Sequence, residues 1–507
     1  MRASGESASS PNAIPSVGLR SQLTSRALRK GPAWHRHPRR PSLGSRRPSA
    51  NMVCTFLRAV HATNSRRARP PTPTQTPDKP AVATHIGAAS NAFGVPTPLG
   101  KPAASMAGMT TEHSTTTFAD LTTIGVGGPI RTFLTPDTRD GVIDAVRQAD
   151  AAGSPLSVIG GGSNLLAADA PFDGVVVRDA RQDIRFGSPQ ADDTVAVSAD
   201  AGCNWDDFVA ESVAHGLEGV EGLSGIPGTV GASVVQNIGA YGQEVASSVA
   251  QVEAWDREES RTVTLDPQHL RFGYRMSALK ASMYDAPAQP SDRFFPTPRF
   301  VVLSVTLRLH RGAEGTVGYG QLAKALGVEV GDRMPVAAIR DAVLKVRAAK
   351  GMLEDAHRYD IPLMAGAKRA DTVQAALQAQ REATGSDGPD FNRHSCGSFF
   401  MNPILDDTQA ARLPQDAPRF PAVLPSGESG TKTSAAWLID HAGFHRGYAV
   451  AAGAPASLST LHTLALTNRG SARAADIAEL ARTVRDGVEQ AFGVRLVPEP
   501  VLVGVTF

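Results

Sequence analysis

The stretch SGIPGTVGASVVQNIGAYG, residues 224–242, sets five glycines among small and apolar neighbours. Pro227 fixes a turn, and Gly228 and Gly231 let a backbone approach closely. The small residues that follow suit a helix whose free amides face an anion. Read alone, the stretch fits a packing motif as well, since tight turns and close-packed elements also call for glycine. The rest of the chain decides between the two.

Upstream, PLSVIGGGSNLL (155–166) runs from a strand into Gly160, Gly161, Gly162, Ser163 and Asn164, the place where α/β units present backbone amides to phosphate. It lacks the Gly-Lys-Ser/Thr of a nucleotide-triphosphate loop, and the next segment leads to another strand, GVVVR, rather than to a helix. A third cluster, TTIGVGGP, occupies 122–129. Three such clusters cost chain entropy without adding to a core. Together they point to backbone cradles for a pyrophosphate carrying something large.

Between them the periodicities alternate. PDTRDGVIDAVRQADAAG (136–153) spaces Val142, Ile143, Val146 and Ala149 as a helix face, with Asp137 as the expected cap and Gly153 at the end. NWDDFVAESVAHGLEG (204–219) and PVAAIRDAVLKVRAAKG (335–351) read as helices, and SVAQVEAW (248–255) and RFVVLSVTLRLH (299–310) as strands. Ile477, Leu480, Val484, Val488 and Phe492 form one stripe ending at Gly493, before a last strand in RLVPEPVLVGVTF. Residues 355–393 are a polar excursion with a possible helix over 370–383, expected to be exposed and removable.

Composition narrows the function. The 507 residues are 41% hydrophobic and 20% charged, as in ordinary globular enzymes. The longest apolar run, FVVLSVTLRL, is about half a membrane span and reads as a strand. Three scattered cysteines, Cys54, Cys203 and Cys396, suit neither a disulfide framework nor a zinc site; no metal is expected, and a reducing, cytoplasmic setting is. Residues 1–112 hold 16 of the 51 basic and 3 of the 49 acidic residues, so a tail of net +13 precedes a body of net −11. An acidic body argues against nucleic acid as a partner. The Arg-, Pro- and Ser-rich tail reads as disordered. A transit peptide or a basic interaction arm would fit it; our expectation is that translation starts at Met106 or Met109.

In this order, TTIGVGGP, VIGGGSNLL, SGIPGTVGASVVQNIGAYG, YRMSALK (274–280), CGSFFMNP (396–403) and LVPEPVLVG (496–504) resemble the UDP-N-acetylenolpyruvoylglucosamine reductases. The resemblance covers about 114–507. It implies an α+β chain: a FAD-binding fold of the vanillyl-alcohol-oxidase type at 113–312, in two parts (113–178 and 179–312), then an α/β substrate domain at 313–507. It also implies FAD, NADPH as reductant, and reduction of an enolpyruvyl ether on a UDP-sugar during peptidoglycan synthesis; with no histidine or cysteine in the glycine loops, a covalent link to FAD is not expected. The partner is then a small molecule, with a monomer as the default. Another oxidoreductase on the same flavin fold is the alternative, and the C-terminal motifs argue against it.

The resemblance places residues too. Gly160–Asn164, with Ser224, Gly225, Ile226, Pro227, Gly228, Thr229 and Gly231, fall on the cofactor loops. Ser398 matches the proton donor, and Arg275 and Glu499 the pair around the intermediate. Lys350, Asn402 and Tyr319 match contacts to the nucleotide sugar, with Tyr241 and Arg347 as further contacts. In WLIDHAG the usual glutamine is His441, which leaves that contact in question. Within HSCGSFFMNP, Cys396 reads as filler, Phe399 and Phe400 as core, and His394 as exposed; Lys432 is as much a surface charge as a ligand.

Overall fold

The computed structural model describes residues 111–507 apart from 114–115, 286–295, 356, 359–373, 376, 379, 383–384, 386–387 and 425. The basic tail therefore lies outside the described residues, as does much of the helix expected over 370–383.

The first layer is a four-stranded sheet. Ile130–Leu134 pairs parallel with Phe172–Val177, which pairs parallel with Leu156–Val158; the short Thr111–His113 strand lies antiparallel on the outer edge. The Arg139–Ala151 helix covers this sheet with Val142, Ile143, Val146 and Ala149 buried, as its periodicity requires. Its cap is Thr138, which accepts from the Gly141 amide, and not Asp137. The cap hydroxyl must sit directly before the first helical residue, and Asp137 lies one position too early.

A second, antiparallel sheet follows, in the order Arg261–Leu265, Val249–Asp256, Phe300–Arg311, Thr194–Asp200, Ile184–Phe186. Its inner face packs Val197, Val252, Val305 and Leu307, all fully buried, against Trp205 and Phe208 of the Trp205–Ala214 helix. Alternation along these strands puts every second side chain into that core.

Within the C-terminal half, strands pair with one another antiparallel as well: Ile404–Leu405 and Phe420–Val423 flank Ser429–Lys432, and Ala456–Leu458 pairs with Leu466–Asn468. The Ala474–Phe492 helix lays Ile477, Leu480, Val484 and Val488 on this layer and stops at Gly493, whose φ of +65° suits glycine. Phe399 and Phe400 are fully buried here, each worth about 2–3 kcal/mol in removed apolar surface.

One pairing positions the site. The final strand, Val501–Val503, runs parallel to Leu165–Ala167, and the Val501 amide donates to the Asn164 carbonyl at 3.0 Å. The chain's end is thereby laid beside the GGGSN loop, and Glu499 is brought to it.

Candidate functional site

The three glycine clusters meet. A Cβ on Gly161 would lie 2.7 Å from the Gly228 Cα, and one on Gly162, at φ +65°, would lie 2.0 Å from the Leu121 carbonyl oxygen. Ser163 Oγ donates to the Pro227 carbonyl at 2.6 Å, and the Thr123 amide to the Gly162 carbonyl at 3.1 Å. Only glycine permits backbones to close this far. Thr229 caps the Val230–Gln236 helix through the Ala232 amide, and Gly231 packs on Ala201.

Two cavities open around these loops. One of about 160 Å³ lies among Gly160–Asn164, Thr229, Gly231 and the apolar Leu279, Met283, Phe300 and Val302. The other, of about 680 Å³, is lined by Ile226–Thr229, Tyr241, Arg275, Tyr319, Lys350, Ser398, Asn402 and Glu499, among others. Ser163, Asn164, Thr229, Ala232 and Gln236 border both. A long ligand bridging the two meets backbone amides and small residues at the waist and apolar side chains in the smaller cavity, which fits a dinucleotide.

Within the larger cavity an ordered cluster surrounds Glu499. Its amide donates to the Phe399 carbonyl at 2.8 Å, and Phe400 bridges Pro498. This short antiparallel contact places Ser398 and Glu499 on adjoining backbones, Ser398 following Gly397 at φ +75°. Arg275 Nε reaches Glu499 Oε1 at 2.9 Å, with Nη2 on the Gly239 carbonyl at 2.7 Å. Arg275 itself sits at φ +53°, locked by reciprocal Gly273 and Met276 amide bonds. A non-glycine residue held there carries about 1–3 kcal/mol of strain, which is common at sites that must aim a side chain. Tyr241, at φ +49°, meets the Tyr319 ring edge-on at 5.9 Å. Lys350 Nζ donates to Gln321 Oε1 at 2.6 Å, and burial lowers its pKa. Asn402 Oδ1 accepts from the Ala435 amide, while its main-chain and side-chain N–H groups face the Tyr274 hydroxyl.

Several expected residues have other work. Ser224 is fully buried with its hydroxyl on the Glu221 carbonyl, and Gly225 is clamped between Asp206 and Arg347; neither lines a cavity. Arg347 does line the larger one, but its Nε and Nη2 are engaged by the Gly225 and Met352 carbonyls. His441, the last residue of the Ala435–His441 helix, is exposed, stacked on Trp437 at 3.8 Å, and lines neither cavity. His394 is not exposed; its Nε2 meets Asp355 at 2.5 Å. Burial pushes the Cys396 thiol up to about 12, so it stays protonated filler. Buried Cys203 lines neither cavity.

The excursion departs from expectation in part. Its described residues are mixed: His357, Gln378, Arg381, Glu382 and Pro389 are exposed as expected, whereas Asp355, Arg358, Gln380, Asp390 and Arg393 are all under 9% exposed. Arg358 pairs with Glu354 at 2.6 Å and donates to the Leu121 and Gly161 carbonyls at 3.1 and 3.4 Å. A guanidinium thus buttresses two glycine loops from a segment whose polar composition read as surface.

Sequence reasoning also passed over Gln236, Tyr274, Lys280 and His462. Gln236, Tyr274 and His462 line the larger cavity, and Lys432 joins them, its Nζ 5.0 Å from the Tyr274 ring. Burial and nearby Lys350 pull His462 down to about 4. Lys280 closes the quoted YRMSALK, and its spacing from Arg275 was the available signal.

An FAD binding domain description matches residues 130–266, so fold and loops define a flavin-binding α+β protein with an appended C-terminal domain. The C-terminal domain of UDP-N-acetylenolpyruvoylglucosamine reductase matches 389–503. The chain is 41% identical over 396 residues to the UDP-N-acetylenolpyruvoylglucosamine reductase of Thermobifida fusca, covering 76% of this chain and 97% of that one. It is 42% identical over 395 residues to that of Streptomyces coelicolor, with 76% and 89% covered. A crystal structure of the reductase from Thermus caldophilus aligns with 78% of this chain and 99% of its own at 23% identity and a TM-score of 0.42. The chain belongs to the UDP-N-acetylenolpyruvoylglucosamine reductase family. Its cofactor is FAD. Among the described residues no helix is long and apolar enough to cross a membrane.

Proposed function

We propose that this protein reduces the enolpyruvyl ether of a UDP-N-acetylglucosamine to the lactyl ether, with NADPH as reductant, in the cytoplasmic phase of peptidoglycan synthesis. The observation that carries it is the convergence of Arg275, Glu499 and Ser398 on one cavity that is continuous with the glycine loops.

Gly160–Asn164 and Pro227–Thr229 would hold FAD, which when bound passes hydride from NADPH to the alkene. The chain's residues supply the rest. Arg275, fixed by Gly239 and Glu499, meets the substrate carboxylate with a delocalised cation and counters the charge that builds there. Ser398, beside Glu499 on the adjoining backbone, gives its hydroxyl proton to the carbanionic carbon; an enolate is basic enough to take it. Lys350, Tyr319, Tyr241 and Asn402 face the same cavity and suit the diphosphate end, Lys350 as point charge and the others as donors. Arg347 acts on this end through Gly225 and Tyr241, and His441 drops out.

The test follows NADPH absorbance anaerobically, first alone and then with the enolpyruvyl sugar nucleotide. Stoichiometric oxidation that requires the second addition is expected, and Ser398→Ala should slow only that phase, by roughly 10²-fold or more. A protein that binds FAD yet oxidises no NADPH on addition of this substrate would not be this reductase.

A further inference from the structure

Gln236 links two charged groups that the reading above leaves unconnected. Its Oε1 lies 2.7 Å from Lys280 Nζ, and its Nε2 lies 3.1 Å from Glu499 Oε1. An ammonium has no acceptor, so the amide has one possible orientation here: oxygen to the lysine, NH₂ to the glutamate. The side chains of Gln236 and Lys280 are almost wholly buried. Lys280 also lies 3.5 Å from the Arg275 carbonyl and 3.5 Å from the Glu499 carbonyl. Its three hydrogens are thus divided among an amide and the main chains of both residues that face the substrate.

The effect falls on Glu499. Oε1 accepts from Arg275 Nε and from Gln236 Nε2 together, while Oε2 has no hydrogen-bond partner among the described residues. We propose that Lys280 is a positioning residue: acting through Gln236, it makes Oε1 of Glu499 the fixed acceptor and leaves Oε2 as the atom presented to the substrate. This rests on the reductase reading above and deepens it. A substrate carboxylate brought up to Arg275 also approaches Glu499, and two anions repel unless a proton lies between them. With two donors already on Oε1, that proton has one place on the glutamate, Oε2. Without the lysine, the amide oxygen loses the donor that pins it, and the Gln236 NH₂ is no longer held on Oε1 from behind.

The experiment separates the two halves of the cycle by stopped flow in wild type, Lys280→Met, Lys280→Arg, Glu499→Gln and the Lys280→Met/Glu499→Gln double variant. Lys280→Met, close in length but without donors, should slow the substrate-dependent phase by roughly 10- to 100-fold, the range seen when groups supporting a site residue are removed. The KM for NADPH should hold within about twofold. Lys280→Arg should recover most of the rate, and the double variant should be no slower than Glu499→Gln, as expected of residues acting as a unit. Losses that multiply in the double variant, or an unchanged Lys280→Met, would overturn the proposal. If Lys280→Met fails to retain FAD, Gln236→Leu, which removes both hydrogen bonds, must reproduce the slow phase for the proposal to stand. A wild type inactive on this substrate would instead refute the reductase reading, whatever the variants do.

Discussion

Arg275 and Glu499 lie 224 positions apart, yet Nε of one is 2.9 Å from Oε1 of the other, and both side chains are more than four-fifths buried. Neither tolerates loss of the other well. Arg275→Lys keeps the charge but gives up the planar fork that serves Glu499 and Gly239 together. The expected outcome is a fall in kcat for substrate reduction of about 10²-fold, on the scale of a lost electrostatic donor. Steady-state rates at saturating NADPH measure it; a lysine variant within about threefold of wild type would show that charge alone suffices.

Gly161→Ala tests whether the loops must touch. The added methyl would lie 2.7 Å from the Gly228 Cα, a backbone atom that cannot swing aside as a side chain does. Overpacking of this kind costs about 1–3 kcal/mol. Because the contact lies between the two loops proposed above to hold FAD, it should emerge as FAD affinity weakened by about tenfold or more, read by fluorescence of released cofactor. Gly153→Ala serves as the control for backbone strain: its φ is +60° but nothing lies within 4 Å of the added carbon, so FAD retention should stay near wild type there.

Much of this was legible in the sequence because it is local. The 3.6-residue spacing of Val142, Val146 and Ala149 fixes a helix, and the glycine clusters announce close backbone approaches, since both signals lie within a few turns of chain. What failed to show was pairing across distance. Composition does not reveal that Arg358 reaches Gly161, or that Gln236 joins Lys280 to Glu499, because each polar group is inconspicuous until the fold supplies its partner. His441 misled for the converse reason: position in a motif does not reveal that the ring stacks on Trp437, outside both cavities.

Arg358→Gln should therefore be costly despite its place in a polar excursion. It leaves Glu354 buried after removal of the guanidinium that bonds it, and it withdraws the donors from the Leu121 and Gly161 carbonyls. Withdrawing a buried donor costs about 1–3 kcal/mol. Thermal unfolding of the FAD-loaded protein should shift down by several degrees, with faster cofactor release. Deleting 356–391, which removes Arg358 too, should do at least as much harm. A deletion variant with an unaltered midpoint would restore the view of this segment as dispensable.

The pH dependence gives the most direct reading of Lys280. Burial lowers it from 10.5 to about 8, with Glu499 opposing the shift and Arg275 adding to it. Below pH 8 both folded and unfolded chains hold this proton; between about 8 and 10.5 the unfolded chain holds more, so this group makes stability rise with pH across that window. Activity should move the other way, because a neutral amine has one donor fewer for Gln236 and the two carbonyls. The rate of substrate reduction should therefore decline above about pH 8 while the protein is not losing stability on this account. Lys280→Arg, whose charge persists, should carry the decline to higher pH. An alkaline limb that stays in place in the arginine variant would assign it to another group.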